Sequence, residues 1–527
     1  MSASILAGGD WAQARADRLA LLVDAQAYFS AAEAALKAAE RSILLIGWHF
    51  DSRTRLAPMQ PGSQPIGRLL NRLKKEKPEL QVRVLIWNMA WMMSAGFEFY
   101  PQRAAADFKL TGVDFRLDTA PFGASHHQKM LIIDDHLAFI GGGDLSVDRF
   151  DTARHLDEDP RRMDPDGDLH PPRHEVMALV DGPIAHTIAD VARERWRRAT
   201  GERLVACPPS AADLWPETLP AAVEAMPAAL VLTERPTHGR GAVRQSESLH
   251  LEAIAAARHT IYLENQYFTS RVIGEALVAR LEEPDGPEIL VISTGQAPSW
   301  FDHATMDRAR DVLLRRLQAA DAHGRLSVWT PTTPGGRWII VHSKVTVIDD
   351  RLLRVGSTNL NNRSMGFDGE ADLAVEAETQ SHREGVRWAR DRLIAHFIGC
   401  TGAAFSEAVN RTGTLRGAVE AMNEHGRLVR LEPQSHGPWG TLVAEWQLGD
   451  PLGPEDSFRP WTRRRKAAAR AEEARRLVLD RVRQLEVHPQ GQVVGGDAEQ
   501  RPVGDLDLAH PNAGADEGVV DPQDGRA

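Results

Sequence analysis

The chain has 527 residues, of which 43% are hydrophobic and 26% are charged. This composition is typical of a globular protein of two or more domains, and no segment approaches the ~18 uninterrupted apolar residues of a membrane-spanning helix. The formal net charge of -11 weakly disfavours a protein that acts on the nucleic-acid backbone. Two cysteines, Cys207 and Cys400, are too few for a disulfide framework or a zinc site.

The first residues, from Met1 to Trp11, have neither the basic region nor the apolar core of a secretory signal. We therefore expect a cytoplasmic protein, with peripheral binding to a membrane surface and unconventional export both left open. The oligomeric state is also open, with a monomer as the expectation.

Helical and β-rich segments alternate along the chain, and their order in the first half is repeated in the second. Alternation of this kind predicts βαβ units and a mostly parallel sheet with helices on both faces in each half. The expected fold class is therefore α/β, built as a pseudo-dimer. The matching segments are helices at 24–40 and 247–258, and strands at 42–46 and 260–263, 82–87 and 289–293, and 113–116 and 326–329.

The boundary between the halves is predicted in a Pro- and Ala-rich segment. Residues 487–527 are rich in Gly, Pro and Asp, a composition that buries too little apolar surface to fold. The predicted organisation is a first half at 1–206, a linker at 207–245, a second half at 246–400, a helical extension at 401–486 and a disordered acidic tail at 487–527.

The motif His-x-Lys-x-x-x-x-Asp occurs twice, beginning at His127 and at His342. One copy alone is more typical of a solvated strand edge, but two copies with matched surroundings supply paired histidines and paired lysines. These groups suffice to open a phosphodiester through a covalent phosphohistidine without a metal. No metal or cofactor is therefore expected.

Apolar residues follow each lysine, at Met130–Ile133 and Val345–Ile348, and predict a strand in each motif. With a period of two, the histidine and the lysine point to one face of the strand. Asp134 and Asp349 then point to the other face, so we predict that they are structural partners.

A glycine-rich turn follows each motif at the same offset, Gly141 to Asp144 in the first half and Gly356 to Asn359 in the second. Glycines allow a backbone to approach a bound anion, and Ser357 and Asn359 add neutral donors for substrate. Asp144 would repel an anion if it faced inward, so we predict that it caps its turn.

These segments resemble the phospholipase D superfamily over about residues 17–401, and are most similar to its two-motif, eukaryotic-type branch. The resemblance implies two α/β halves that meet around one site, with both histidines facing a single phosphate, and a phosphatidyl-transfer activity. The strings that carry it are His126–Lys129, Phe139–Leu145, Ile261–Phe268 and Gly356–Met365.

The resemblance also implies roles for the motif residues. His127 would attack phosphorus as the neutral imidazole, which an ordinary pKa near ~6.5 leaves available at neutral pH. His342 would protonate the leaving alcohol and then deprotonate the incoming water. Lys129, Lys344 and Asn359 would hold the non-bridging oxygens, the lysines taking the role that a metal plays elsewhere.

Each imidazole should have its second nitrogen held by a carboxylate. Glu175 lies where the family usually carries the aspartate of Trp-His-Asp-Val, and Gly369–Asp372 matches its Asp-Ser-Glu with the acidic pattern shifted. We predict Glu175 and Glu370 in this role, with Asp372 as the alternative to Glu370. Carboxylates that merely face water are the other interpretation.

Two residues at the end of a strand, Asn265 and Gln266, lie where α/β folds often bind ligand, and a headgroup contact and a structural hydrogen bond are about equally favoured.

The basic segment 459–466 resembles an interfacial membrane contact, although a solvated helix start is the favoured interpretation. Four aromatics either line an acyl or headgroup channel or, as favoured, pack in the core: Trp48, Trp87, Trp91 and Phe97.

The sequence therefore predicts a phospholipase D that hydrolyses the distal phosphodiester of glycerophospholipids to phosphatidic acid and a headgroup alcohol such as choline. The alternative is a phosphatidyltransferase of the cardiolipin or phosphatidylserine synthase kind, and a nuclease or other phosphodiesterase ranks third. A catalytically silent lipid-binding module would need one motif to have decayed, and neither has. The expected partner is phospholipid at a membrane surface, with no nucleic acid.

Overall fold

The computed structural model describes residues 4–88, 100–120, 123–208, 213–236, 241–297, 299, 302–435, 449–453 and 460–487. No helix within these ranges is long and apolar enough to cross a membrane. The first half consists of strands β1 (Ala12–Val23), β2 (Ser42–Gly47), β3 (Gln81–Trp87), β4 (Asp114–Asp118), β5 (Met130–Ile133), β6 (Leu137–Gly141), β7 (Arg173–His174) and β8 (Val176–Asp181), and of helices α1 (Asp24–Ala38), α2 (Ile66–Glu76), α3 (Tyr100–Phe108) and α4 (Pro183–Thr200).

The second half repeats this order. Its strands are β9 (Val223–Glu234), β10 (Val243–Arg244), β11 (Thr260–Asn265), β12 (Glu288–Ser293), β13 (Leu326–Pro331), β14 (Ile340–Val341), β15 (Lys344–Ile348), β16 (Leu352–Gly356) and β17 (Glu370–Glu376), and its helices are α5 (Gln245–Ala256), α6 (Arg271–Glu282), α7 (Arg308–Ala320), α8 (Asn362–Gly366) and α9 (Gln380–Ile398). The C-terminal extension adds α10 (Gly402–Thr412), α11 (Leu415–Met422), β18 (Leu428–Arg430) and α12 (Pro460–Val487).

One continuous sheet runs through both halves, in the order β18-β13-β12-β11-β15-β16-β17-β9-β1-β8-β6-β5-β2-β3-β4. The α/β class with two similar halves is confirmed. The prediction of mostly parallel sheets is wrong, because within this sheet of the described residues the parallel runs are limited to β2-β3-β4 and β11-β12-β13. The motif strands β5 and β15 turn back into β6 and β16 after residues 134–136 and 349–351, and connections this short allow only antiparallel pairing.

The two halves are joined through the sheet itself. Strand β9 lies inside the predicted linker, residues 207–245, and pairs antiparallel with β1 from Leu19 opposite Val223 to Ala12 opposite Leu230. That linker is therefore partly a central strand. The apolar residues of β9 from Ala228 to Val231 are buried between two layers of helices.

Three hydrophobic clusters fill the space between sheet and helices. One cluster extends across both halves beneath α4 and α9, and the other two lie on the opposite face, beneath α1 and α2 in the first half and α5 to α7 in the second. Helix α12 packs along α5 and α6. Of the basic segment 459–466, only the side chains of Arg465 and Lys466 are described, and both are exposed. The predicted tail, beyond residue 487, lies outside the described residues.

Candidate active site

Each motif histidine is anchored by the backbone of the other half of the protein. The His127 N–H donates to the carbonyl of Gly369 (2.8 Å), and the His342 N–H donates to the carbonyl of His174 (2.7 Å). A short parallel pairing of β14 with β7 continues the second contact. The two histidines therefore lie at the junction of the halves, immediately before strands β5 and β15.

The ring of His127 is oriented by two acceptors at one nitrogen. Its Nδ1 lies 2.9 Å from Oε2 of Glu370 and 3.1 Å from the carbonyl oxygen of Ser357. Because a carbonyl only accepts, Nδ1 carries the ring proton and Nε2 keeps its lone pair for attack. Burial, with Lys129 and Lys344 nearby, holds the pKa of His127 well below its usual range, so the neutral ring predominates.

Glu370 is itself held in place. The Ser357 hydroxyl donates to its Oε2 (2.6 Å), and the Ala371 N–H donates to that hydroxyl (3.0 Å), so the Ser357 side chain, predicted to bind substrate, is engaged in positioning Glu370. Asp372 instead pairs with Arg354 (2.6 Å), which leaves Glu370 as the carboxylate at the imidazole. Burial raises the pKa of Glu370 to about 8.

His342 faces a glutamate in the equivalent position, at ion-pair distance but without hydrogen-bond geometry between the two side chains. Its Nδ1 lies 3.0 Å from Oε1 of Glu175, and burial beside Lys344 holds the pKa of His342 well below its usual range. Burial raises the pKa of Glu175 to about 7, against the opposing effect of nearby arginines. The partners are thus crossed, since the glutamate of each half contacts the histidine of the other.

Both motif lysines are buried. The Lys129 ammonium donates to the carbonyl of His127 (3.0 Å), and that of Lys344 donates to the carbonyl of His342 (2.6 Å). Burial lowers the pKa of both lysines. Asn359, two residues beyond Ser357 in the same turn, is also buried, and its Oδ1 has no hydrogen-bond partner within the described ranges.

The sequence predicts that Asp144 caps its own turn, but the carboxylate binds other groups in the structure. Its Oδ1 accepts the N–H groups of Trp48 (3.0 Å) and His49 (3.2 Å), and its Oδ2 lies 3.4 Å from Nζ of Lys129. The carboxylate therefore faces inward. The expected repulsion of an anion does not prevent this orientation, because the ammonium group of Lys129 compensates the charge of Asp144. Only the tertiary structure brings these two side chains together.

Two glycines of the first turn allow close approaches within the site, one of them between the two halves. A Cβ on Gly142 would lie 2.9 Å from the carbonyl oxygen of His342, and one on Gly143 would lie 2.8 Å from Oε2 of Glu175. Gly142 thus approaches the other half of the protein, whereas Gly143 approaches the glutamate of its own half. The sequence predicts instead that these glycines allow the backbone to approach a bound anion.

Asp134 and Asp349 occupy equivalent places, and both adopt left-handed backbone, with φ of 52° and 54°. Each carboxylate accepts three consecutive backbone N–H groups that lead into the neighbouring strand. The donors are Glu40 (2.9 Å), Arg41 (2.8 Å) and Ser42 (2.7 Å) for the first, and Arg258 (3.0 Å), His259 (2.8 Å) and Thr260 (2.8 Å) for the second.

Two residues predicted to bind substrate lie at the end of β11. The Oδ1 of Asn265 accepts the N–H groups of Tyr267 (3.2 Å) and Leu360 (3.0 Å), so its carbonyl is used within the protein. Gln266 is buried beside it.

One of the predicted aromatics contacts the motif residues. Trp48 stacks on Trp87 with ring centroids 5.9 Å apart, meets the ring of His127 edge-on at 6.2 Å, and has Nζ of Lys129 5.7 Å from its centroid. Trp48 therefore forms part of the wall of the site. The other two aromatics, at 91 and 97, lie outside the described residues.

Two arginines were not predicted from the sequence. Arg149 and Arg173 are buried, and each places a guanidinium nitrogen 4.0 Å from Oε1 of Glu175, with Asp148 as a shared ion-pair partner at 3.5 and 3.9 Å. Arg173 lies two positions before Glu175, and this spacing could have indicated from the sequence that the two side chains are near each other. Nothing in the local pattern indicates that Arg149 faces the same carboxylate.

A family model described as "Cardiolipin synthase, PLD-like domain" matches residues 250–387, which contain the second motif. Phospholipase D A of Dictyostelium discoideum is 26% identical over 450 residues, covering 72% of this chain and 34% of that protein. Phospholipase D1 of Saccharomyces cerevisiae is 24% identical over 456 residues, covering 67% of this chain and 26% of that protein. These matches support the resemblance of the chain to the phospholipase D superfamily.

A solved structure of similar fold is the phosphatidylserine synthase of Haemophilus influenzae, with a TM-score of 0.50 and 12% identity over 78% of this chain and 96% of that one. At this identity the likeness concerns the fold. The chain also spans only about a quarter to a third of the two phospholipase D proteins named above. The comparisons thus concern the fold, and the substrate has to be argued from the site.

Proposed function

We propose that the chain is a phospholipase D-type phosphodiesterase, which hydrolyses the distal phosphodiester of glycerophospholipids to phosphatidic acid and a free headgroup through a phosphohistidine. The observation that carries the proposal is the pair of crossed His–Glu contacts beside two buried lysines. One histidine presents an unprotonated nitrogen, and the other has a titratable carboxyl at its far side. A two-step displacement needs one histidine as the nucleophile and the other as the general acid and base.

In the first step, Nε2 of His127 attacks phosphorus, and the bond to the headgroup oxygen breaks. The ring of His127 gains positive charge, which Glu370 at Nδ1 stabilises. His342 gives a proton to the departing oxygen, and Glu175, with a pKa of about 7 and 3.0 Å from Nδ1 of His342, can replace that proton. The lysine ammonium groups stabilise the charge on the non-bridging oxygens.

In the second step, the neutral His342 removes a proton from water, and the hydroxide displaces His127 from phosphorus. Two in-line displacements each invert the phosphorus centre, so the overall result is retention. An alcohol in place of water gives transfer instead of hydrolysis, because either hydroxyl reaches the same intermediate. Hydrolase and transferase thus differ in the acceptor, while the phosphohistidine chemistry is shared.

Three considerations favour lipid as the substrate: the phospholipase D relatives, the family model named for cardiolipin synthase and the net charge of -11, which disfavours nucleic acid. A phosphatidyltransferase is the second candidate, favoured by the name of that family model. In either case the protein would meet its substrate at a membrane surface, as a peripheral protein.

The test is a product analysis. The purified protein is incubated with mixed phospholipid vesicles, with and without a primary alcohol, and products are identified by mass spectrometry, with the His127→Ala protein as the control for a contaminating lipase. Phosphatidic acid without alcohol, and a phosphatidyl-alcohol in its presence, support the hydrolase. Cardiolipin from phosphatidylglycerol with almost no phosphatidic acid identifies the transferase. Inert lipid with cleaved DNA would refute both.

A further inference from the structure

Three histidines and an aspartate form a buried cluster beside the phosphodiester site. They are Asp24 at the start of α1, His155 in the loop before β7, His174 in β7 and His396 near the end of α9. Each offers one ligand atom, and these four atoms all lie within 4.8 Å of one another. The mechanism proposed above uses none of the four.

The spacing of the ligand atoms fits a single metal ion. The Nε2 atoms of His155 and His396 are 2.9 Å apart, and Oδ2 of Asp24 lies 3.5 Å from the first and 3.1 Å from the second. Nδ1 of His174 lies 2.9 Å from the other oxygen of Asp24. In a tetrahedral zinc site with bonds of ~2.0–2.1 Å, neighbouring ligand atoms are ~3.3 Å apart. The separations among His155, His396 and Asp24 bracket this value, and the whole set of four ligand atoms lies within 4.8 Å.

A second set of carboxylates orients two of the rings. Asp151 holds Nδ1 of His155 (2.9 Å), and Glu264 holds Nε2 of His174 (3.0 Å), so the remaining nitrogen of each ring faces the cluster. Asp151 in turn accepts the backbone N–H of Arg173 (2.8 Å). A histidine whose outer nitrogen is fixed by a carboxylate is the usual arrangement around a bound metal.

The backbone supports the same centre at a conformational cost. Asp24 and His155 both have positive φ, 65° and 42°, a region that residues other than glycine rarely adopt. Strain of this kind persists where the surrounding structure imposes it, and it is frequent at functional sites. Here it directs an aspartate and a histidine toward the same point.

We propose that Asp24, His155, His174 and His396 bind one transition-metal ion of the zinc class. Imidazole with one carboxylate is a donor set that suits zinc, and four protein ligands that are nearly all buried form a closed site, typical of a structural ion. The ligands come from both halves of the chain, so the ion ties α9 to the first half.

The ion would also support the phosphodiester site indirectly. The Asp24 N–H donates to the carbonyl of Glu175 (2.8 Å), and His174 accepts the His342 N–H at its own carbonyl (2.7 Å). These two backbone hydrogen bonds connect the proposed metal ligands to the segment that places Glu175 beside His342. The ligands act as positioning residues and touch no reacting atom.

The experiment measures metal in the tag-free, full-length protein. Elemental analysis after gel filtration should give about one equivalent of zinc per chain, and protein stripped by a chelator should regain thermal stability on addition of Zn²⁺. Loading the stripped protein with Co²⁺ should give the visible absorption of a tetrahedral ion. These measurements on the wild type do not depend on whether a variant folds.

Two variants and a control assign the site. Asp24→Asn keeps a residue that tolerates left-handed backbone, and His396→Gln changes the ligand at the edge of the cluster, whereas His323→Gln alters an exposed histidine elsewhere. We expect at least about a tenfold loss of bound metal in the first two and none in the third. The proposal is overturned if stripped wild-type protein takes up neither Zn²⁺ nor Co²⁺, or if both cluster variants keep full metal content.

Discussion

The carboxylate at His127 gives the sharpest test of the proposed chemistry, through the variant Glu370→Gln. The glutamine retains an oxygen for Nδ1 and for the Ser357 hydroxyl, and the carbonyl of Ser357 still accepts from Nδ1 (3.1 Å), so the ring keeps its orientation and tautomer. The substitution therefore removes negative charge and little else. It isolates the stabilisation of the imidazolium that forms when Nε2 attacks phosphorus.

The raised pKa sets the size and the direction of the pH effect. With a pKa of about 8, Glu370 is ~10% ionised at pH 7 and ~1% ionised at pH 6. The rate of the first step in the wild type should therefore rise about tenfold per pH unit up to pH 8 and then level off. In Glu370→Gln that dependence should disappear, and the rate should fall about 10²-fold below the wild-type plateau.

The assay is the burst of p-nitrophenol from a soluble, short-chain phosphatidyl-p-nitrophenol, followed at the isosbestic wavelength of the product by stopped flow. A good leaving group needs no proton from His342, so the burst reports attack by His127 alone. The matched control is Asp372→Asn, which changes the neighbouring buried carboxylate that pairs with Arg354. It should keep the wild-type shape of the pH profile.

Folding stability gives an independent readout of the same group. The pKa of Glu370 is above its ordinary value of 4.5, so its contribution to stability is fully present below pH 4.5 and is lost as the pH rises through about 8. The wild type should lose stability to urea over this window, and Glu370→Gln should lose less. A wild-type burst rate that is flat from pH 6 to 8, or a variant with an unchanged profile, would refute the assigned role.

Three further variants test the rest of the site. His342→Ala should still release a good leaving group and accumulate a phosphatidyl adduct on His127, detected by peptide mass spectrometry; an adduct on His342 in the wild type would reverse the two roles. Asp134→Asn should lower the unfolding free energy by about 1–3 kcal/mol in urea titrations, with turnover per folded molecule unchanged, because one of its acceptor oxygens becomes a donor. Gly142→Ala should reduce turnover about 10²-fold by displacing the His342 backbone, whereas Gly241→Ala, with open space around it, should not; equal rates would contradict the close approach.

The sequence alone determined the elements whose causes are local. The apolar runs after Lys129 and Lys344 form strands β5 and β15, and the repeat of the first half in the second predicts two similar halves. Those patterns reflect backbone periodicity over a few residues, which composition and spacing record directly. The motif histidines and the choice of Glu175 and Glu370 were reached from matched strings, and these residues lie together at the junction of the halves.

Only the tertiary structure decided which groups meet across the halves. It paired the glutamate of each half with the histidine of the other, brought Asp144 to Lys129 and placed Arg149 near Glu175. It also made part of the predicted linker a central strand. The members of the histidine–aspartate cluster extend from residue 24 to residue 396, so they form no sequence motif. Counting cysteines, the usual sequence test for a zinc site, does not detect a cluster made of histidines and an aspartate. Such contacts depend on how distant segments pack, and the charge and burial of each group depend on partners that its own neighbours in sequence do not specify.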